Sequence, residues 1–441
     1  MGRGSVVNRR AASPMLRRLP VLLVALALVA MPAPALAASA LGTVVPQLAK
    51  DLGEPAKGSL VVASVLTTDV ASPKGDELAM RVASLLAGQL GGDTRAHPAP
   101  LTLAGARAAA GKSKGLVFVA VELQKGQLRV TVDRYPVLSN GWDRLRLPPP
   151  PPVAHAFATV PIDAEVRTFL PPLLLEQAKI LKASHTEGDV LAAACGDVDG
   201  DGGLDLVLVS RARVAVGHLR SGQFAVDASV AWSTLAPLAP TPLREALGGA
   251  SVDGPGRLLV GTTDRGGVQL DAKLAVHERF AGIPAGGARC AVPRPDVGAF
   301  AGELVPCVGK VEASRSTARF DAAAYLLHTR SDGAALALTV TRDAGTTRVR
   351  RSGDERILFD GAGAQLAFGD LDLDGQPEII SSADVADDVL RIQTLGDDGT
   401  LRERLKVPAP AGVRALAVCP PEENGAQALV AIVGAEVWLV R

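Results

Sequence analysis

Short apolar runs separated by polar turns dominate residues 186–441. Five segments of this region are alike: each has an apolar run, then a polar turn that is usually rich in Gly or Pro, and then a second apolar run. One or two further strand-like runs follow every segment except the last. Short apolar runs bounded by turn residues predict β-strands, so the pattern indicates a repeated β-fold. The five segments are residues 191–209, 247–260, 288–308, 366–380 and 416–430.

The spacing of these segments, roughly 40 to 75 residues, is typical of four-stranded propeller blades. We therefore predict a mainly β protein whose residues 186–441 form a β-propeller of about five blades. The fifth repeat ends too early to contain its outer strand. A strand from residues 154–185 could supply it and close the ring, which removes exposed sheet edges.

Residues 38–146 mix strand and helix patterns. Residues 59–67 form an apolar run typical of a buried strand, and residues 76–90 place apolar side chains three and four positions apart, as in an amphipathic helix. A second helix and a hairpin around Lys125-Gly126 follow at residues 101–110, 116–123 and 127–134. This order predicts a small α/β domain with one sheet, and it resembles the N-terminal α/β domain of TolB-type envelope proteins.

A run of five prolines, Pro148 to Pro152, follows this region. Proline fixes φ and has no backbone N–H, so the run predicts a stiff polyproline II spacer. We place a Pro-rich linker and transition segment at residues 147–185, between the α/β domain and the propeller.

The N-terminus has the three parts of a secretory signal peptide. A basic head of Arg9, Arg10, Arg17 and Arg18 precedes an apolar stretch at residues 19–36, and Ala35-Leu36-Ala37 offers a small-x-small cleavage site. The uninterrupted apolar core, residues 21–31, is about half of the ~20 residues that a membrane-spanning helix needs. We predict a signal peptide at residues 1–37, cleaved after Ala37, and an exported periplasmic or extracellular protein with no transmembrane segment in the mature chain.

Charge and cysteine content narrow the function classes. The chain has 46 Lys plus Arg and 46 Asp plus Glu, and this zero net charge argues against a nucleic-acid binder. An oxidising compartment permits disulfides. The four cysteines allow three pairings, of which Cys290 with Cys307 could span one hairpin, and free buried thiols stay an alternative. The cysteines are Cys195, Cys290, Cys307 and Cys419.

Two of the five turns, residues 197–205 and 370–378, have carboxylates at positions 1, 3, 5 and 9. Crowded carboxylates repel one another, and a hard cation that takes about six to eight oxygen ligands relieves the repulsion; Ca²⁺ fits this description. The backbone carbonyl at position 7 could add a ligand, and the Gly at position 6 permits the tight turn. The predicted ligands are Asp197, Asp199, Asp201, Gly203 and Asp205, and Asp370, Asp372, Asp374, Gln376 and Glu378.

An EF-hand is the competing interpretation, but it needs an acid at position 12, where this chain has Leu208 and Ser381, and it needs flanking helices. The D-x-D-x-D-G-x-x-[DE] pattern between strands instead resembles the FG-GAP/VCBS repeat family, whose propeller repeats also occur in integrin α-subunit head domains. The resemblance implies Ca²⁺ bound between the first two strands of a blade, at two sites. The other three turns have lost their acids and are predicted to bind no metal.

These observations favour a structural ion and a non-catalytic protein. The G-x-S-x-G match at residues 111–115 lies between a predicted helix and a predicted strand, the reverse of a nucleophile elbow. We predict an exported binding or scaffold protein that recognises a protein or glycan partner at the bacterial envelope or outside the cell. A propeller-based polysaccharide-active enzyme is one alternative. A TolB-like envelope component that acts through its N-terminal domain is the other.

Overall fold

The computed structural model describes residues 39–54, 57–68, 72, 74–124, 127–138, 148–171, 173–236, 245–294, 299–309, 318–329, 335–351, 354–372, 374–383, 385–396, 398–421 and 427–441. The predicted signal peptide and the Lys125-Gly126 turn lie outside these residues. Within them, no helix is long and apolar enough to cross a membrane.

A six-stranded mixed sheet forms the N-terminal part of the described chain. Its path is β3-β1-β4-β5-β6, with parallel pairing of β1 to β3 and β4, antiparallel pairing along β4-β5-β6, and β2 added beside β4. The strands are β1 (Leu60–Ala63), β2 (Thr67–Thr68), β3 (Arg95–Ala96), β4 (Gly115–Gln124), β5 (Gln127–Pro136) and β6 (Ala154–Pro161). The two strands of the predicted hairpin are confirmed as β4 and β5.

Helices cover both faces of this sheet. Helices α1 (Ala40–Leu52) and α2 (Gly75–Leu90) share one core with Val117, Val119 and Val121 of β4. Helix α3 (Leu103–Ala109) packs on the other face, where Ala106 meets Leu116. The predicted helices are confirmed as α2 and α3, whereas α1 was not predicted.

Six groups of strands follow one another from residue 190 to residue 440. A short helix, α4 (Ala164–Arg167), and strand β7 (Ile180–Ser184) come before them. The first unit is β8 (Val190–Gly196), β9 (Asp205–Ser210), β10 (Arg213–Arg220) and β11 (Gln223–Ala231), followed by helix α5 (Trp232–Leu235). The second unit is β12 (Gly248–Val252), β13 (Leu258–Thr262), β14 (Gly266–Leu270) and β15 (Val276–Phe280).

The third unit is split into two small sheets, and the later units are regular. The third is β16 (Ile283–Gly286), β17 (Arg289–Ala291), β18 (Pro293–Arg294), β19 (Ala299–Ala301), β20 (Val305–Pro306) and β21 (Arg319–Phe320). The fourth is β22 (Ala322–Thr329), β23 (Ala335–Asp343), β24 (Thr346–Arg351) and β25 (Asp354–Phe359). The fifth is β26 (Ala362–Gly369), β27 (Glu378–Ala383), β28 (Val389–Leu395) and β29 (Leu401–Pro408), and the sixth is β30 (Val413–Pro421), β31 (Gln427–Val433) and β32 (Glu436–Val440).

The first strands of the six units contact one another in order around a closed ring. The propeller architecture is therefore confirmed, but the described residues form six units where five were predicted. The additional unit is the fourth, residues 322–359, which fills the longest interval between the repeats found in the sequence. Residues 322–340 also have an apolar run, a polar turn and a second apolar run, but the turn at residues 330–334 has only one acid and no proline, so it resembles the turns of the other segments less.

Closure of the ring uses a strand from the predicted transition segment. β7 pairs antiparallel with β32, so that residues 180–184 supply the outer strand of the sixth unit, as predicted. β6, from the same segment, adds instead to the N-terminal sheet. Residues 147–185 thus contribute one strand to the N-terminal sheet and one to the propeller.

Two disulfides connect the four cysteines. Cys195 on β8 is bonded to Cys419 on β30, which links the first strands of the first and last units. Cys290 on β17 is bonded to Cys307, just after β20, within the third unit. The pairing left open by the sequence is thereby assigned, and the alternative of free thiols is wrong.

Candidate metal centre

Two acidic loops occupy equivalent places in the first and fifth units. Loop 1 (residues 197–205) joins β8 to β9, and loop 2 (residues 370–378) joins β26 to β27. Strands flank both loops, which confirms the prediction that excluded an EF-hand. Each loop therefore connects the first two strands of its unit.

The two loops share one set of four backbone hydrogen bonds to their acids. In each, the acid at position 1 accepts from the N–H at position 6, position 3 from position 5, position 5 from position 7, and position 9 from position 2. In loop 1 the donors are Gly202, Asp201, Gly203 and Val198, at 3.1, 3.0, 2.6 and 2.8 Å. In loop 2 they are Gly375, Asp374, Gln376 and Leu371, at 3.1, 3.3, 2.7 and 2.8 Å. The same nine-residue turn thus forms from two different sequences.

Glycine is required at position 6 of this turn. Gly202 has φ 86° and Gly375 has φ 89°, a conformation that side chains with a Cβ rarely adopt. The predicted role of this glycine is confirmed. Residue 2, Val198 or Leu371, is buried beneath each loop and anchors it to the propeller core.

Three carboxylates converge in each loop, with one oxygen from each lying within 4.8 Å of the others. In loop 1 they are Asp197, Asp199 and Asp205, and in loop 2 they are Asp370, Asp372 and Asp374. Asp201 and Glu378 are not members of these triplets. Gly203 and Gln376 donate their N–H groups to the position 5 acids, and their predicted role as carbonyl ligands stays a prediction.

Loop 1 lies nearer to solvent than loop 2. Asp205 is its buried member, and burial raises the pKa of this carboxyl, with the charge of Asp199 adding to the shift. Nε2 of His218 lies 3.3 Å from Asp205 Oδ1, and its Nδ1 lies 2.5 Å from Asp227 Oδ2. An imidazole therefore links loop 1 to the outer strand of the same unit.

Loop 2 buries its acids more deeply. Asp370, Asp372 and Glu378 are 8%, 4% and 0% exposed. Burial raises the pKa of Asp370 to about 7 and that of Glu378 to about 9, and the neighbouring carboxylates add to both shifts. Burial also raises the pKa of Asp372. These groups resist ionisation unless a cation neutralises them.

A buried arginine, Arg404 of β29, was missed by the sequence analysis. Its guanidinium donates to Asp372 Oδ2 at 3.2 Å and to Thr394 Oγ1 at 3.0 Å, and Thr394 donates to Glu378 Oε1 at 2.9 Å. Arg404 Nε also donates to Glu176 Oε1 at 2.6 Å, although Glu176 lies far away in the sequence. Nothing in the local sequence distinguishes Arg404 from the other arginines of the outer strands.

Loop 2 fits a hard cation by two observations. Its side-chain donors are all carboxylate oxygens, which Ca²⁺ prefers. In addition, Asp370 Oδ1 is buried and has no hydrogen-bond partner within the described residues. A buried acceptor without a partner destabilises the folded state, because it has lost its hydrogen bonds to water. An ion among Asp370, Asp372 and Asp374 would satisfy this oxygen.

The turn of the second unit has one acid, which is paired with an arginine of the same turn. Arg257 donates from Nε to the Asp253 carbonyl at 2.8 Å, and its Nη2 lies 2.5 Å from Asp253 Oδ2. The only acid of this turn is therefore neutralised by a side chain of the chain itself. In the third unit Gly287 and Ala288 join the first two strands, so the Pro-rich turn after Cys290, which was predicted to correspond to the acidic loops, does not lie at the equivalent place. The corresponding turns of the fourth and sixth units include residues 330–334 and 422–426, which lie outside the described residues.

A central channel of about 930 Å³ runs between the first strands of the six units. Each of these strands contributes an alanine to its wall, and small side chains leave the channel open. These alanines are Ala194, Ala250, Ala285, Ala324, Ala367 and Ala417.

No protein-family model matches the sequence, and no curated protein matches it either. Solved structures show weak similarity. TolB from Acinetobacter baumannii is 13% identical, with 82% of this chain and 96% of TolB covered and a TM-score of 0.29. The soluble aldose sugar dehydrogenase from Escherichia coli is 9% identical, with 60% and 99% covered and a TM-score of 0.36.

The β-propeller domain of Cps50 (Swd1) from Myceliophteria thermophila is also 9% identical, with 72% of this chain and 95% of that domain covered and a TM-score of 0.29. All three TM-scores lie below 0.5, so we infer neither fold nor function from these similarities. The propeller architecture rests on its own sheet topology. The resemblance to FG-GAP/VCBS repeats stays a prediction.

Proposed function

We propose that this chain is an exported, non-catalytic binding or scaffold protein whose propeller is stabilised by Ca²⁺ held in loops 1 and 2. The observation that carries the proposal is the shared turn: two loops with different sequences make the same four hydrogen bonds and bring three carboxylates together. Residues 197–205 and 370–378 would hold one ion each. The ion would supply positive charge to carboxylates that otherwise repel one another.

Two further features support export and binding. Both disulfides join strands of the propeller, and disulfides persist in oxidising compartments outside the cytosol. The channel offers an enclosed surface for part of a protein or glycan partner, and its lining combines alanines with ionisable side chains such as His185, Asp189 and Asp321. These features support a binding protein outside the cytosol.

Thermal unfolding in calcium and in chelator tests this proposal. At free calcium about 1,000 times the dissociation constant, each occupied site stabilises the fold by about 4 kcal/mol, so calcium should raise the melting temperature. D197N in loop 1 and D370N in loop 2 should each remove part of the rise, and the double variant all of it. D253N is the matched control, because Arg257 already neutralises that turn.

Equal melting temperatures of the wild-type protein in calcium and in chelator would contradict the proposal. If calcium stabilises the protein, the partner can be sought with the calcium-loaded full-length protein, on glycan arrays and by crosslinking in envelope extracts. The D197N/D370N double variant is the negative control.

A further inference from the structure

Glu176, which precedes the closing strand of the propeller, is connected to loop 2 through Arg404. It lies in a 3₁₀ turn (Leu175–Gln177) that ends three residues before β7. Arg404 holds the Glu176 carboxylate with its Nε at 2.6 Å and its Nη2 at 3.4 Å, and with the same guanidinium it holds Asp372. One buried cation thus joins the metal loop to the segment that closes the ring.

The N-terminal part of the chain approaches the same point. Arg167, at the end of α4, is 6% exposed. Burial lowers the pKa of its guanidinium, and the negative charge of Asp372 opposes this shift. Arg167 Nη2 also donates to the Pro171 carbonyl at 2.5 Å, so this buried guanidinium connects α4 to the chain that leads to β7.

Loop 1 has no such connection among the described residues. The Asp197 carbonyl accepts from Gly256 N–H of the second unit at 3.3 Å, and its acids contact His218 of its own unit. Loop 1 is tied to the first and second units, while loop 2 is tied to the seam where β7 meets β32. The two loops share the same hydrogen-bonded turn, but they are connected to different parts of the propeller.

We propose that cation binding by loop 2, and not by loop 1, locks the closing segment 175–184 onto the propeller. This inference rests on the proposed calcium site. With the cation bound, Asp372 is held in place and presents one oxygen to Arg404, which then holds Glu176. Without it, Asp372 is no longer fixed by the ion, so the guanidinium that it helps to position shifts, the contact with Glu176 weakens and β7 loses its anchor.

Hydrogen exchange of the β7 amides, measured by mass spectrometry on the full-length protein, tests this coupling. In the wild-type protein, calcium should slow exchange in residues 180–184 about tenfold or more, the effect expected of a charge-assisted hydrogen bond. D197N should keep this slowing, and D370N should abolish it. E176Q should also abolish it, while calorimetry still counts two bound calcium ions.

The outcomes separate the inference from the proposed function. Calcium bound at loop 2 with unchanged β7 exchange overturns the inference alone. Equal loss of slowing in D197N and D370N also overturns it, because calcium would then act through overall stability. Full slowing in E176Q shows that Arg404 and Glu176 are not the route. No calcium bound at loop 2 overturns both the proposed function and this inference.

Discussion

Replacing Cys195 and Cys419 with alanine should lower the free energy of unfolding by about 5 kcal/mol, because the disulfide closes a very long loop in the unfolded chain. The two cysteines are 224 residues apart in the sequence. Their bond also joins β8 to β30, so it prevents the first and last units from separating. Urea unfolding under non-oxidising, non-reducing conditions measures the loss.

The second disulfide provides the control. Cys290 and Cys307 are 17 residues apart and lie within one unit. The same chain-entropy argument gives about 3 kcal/mol for the C290A/C307A variant. If that variant lost as much stability as C195A/C419A, or if C195A/C419A lost none, the Cys195–Cys419 bond would not be what keeps the ring closed.

Metal-free protein should lose several kcal/mol of stability between pH 5 and pH 8. The pKa of Asp370 is raised to about 7 and that of Glu378 to about 9, both by burial. Because these values exceed those of the unfolded chain, the folded state holds the protons more tightly. Stability is therefore greatest at low pH and falls as pH rises, by about 1.4 kcal/mol per pH unit for each group. The loss of stability due to Asp370 extends from about pH 4 to pH 7, and the loss due to Glu378 extends from about pH 4 to pH 9.

Urea unfolding of protein dialysed free of metal, at several pH values, measures this decline. E378Q cannot ionise at this position, so its stability should change little between pH 7 and pH 9. Saturating calcium should flatten the wild-type curve, because the ion favours the ionised carboxylates. A metal-free stability that rises from pH 5 to pH 8 would show that the acids of loop 2 are neutralised in another way.

The sequence predicts those parts of the fold that repeat or have a strong period. The acidic turns lie between strands, β7 closes the ring, and α2 and α3 form as expected. Helix α1 was missed because Pro46 normally breaks a helix, although here it lies on the exposed face. The fourth unit was missed because the turn between its first two strands, residues 330–334, has one acid and no proline, unlike the acidic or Pro-containing turns of the segments found in the sequence.

In the candidate site, too, the residues that are close in sequence were predicted, and those that only the fold brings together were not. The carboxylates and the glycine at position 6 are local in sequence, so spacing alone reveals them. Arg404 and Glu176 are 228 residues apart, and only the closed ring brings them to Asp372. Which loop is buried also depends on tertiary packing, and this decides that the acids of loop 2 have the strongly raised pKa values.

Isothermal calcium titration of metal-free protein tests the central claim most directly. The wild-type protein and D253N should each bind two calcium ions, D197N and D370N should each bind one, and the D197N/D370N double variant none. Wild-type protein that binds no calcium, or a double variant that still binds two ions, would contradict the assignment of the ions to residues 197–205 and 370–378.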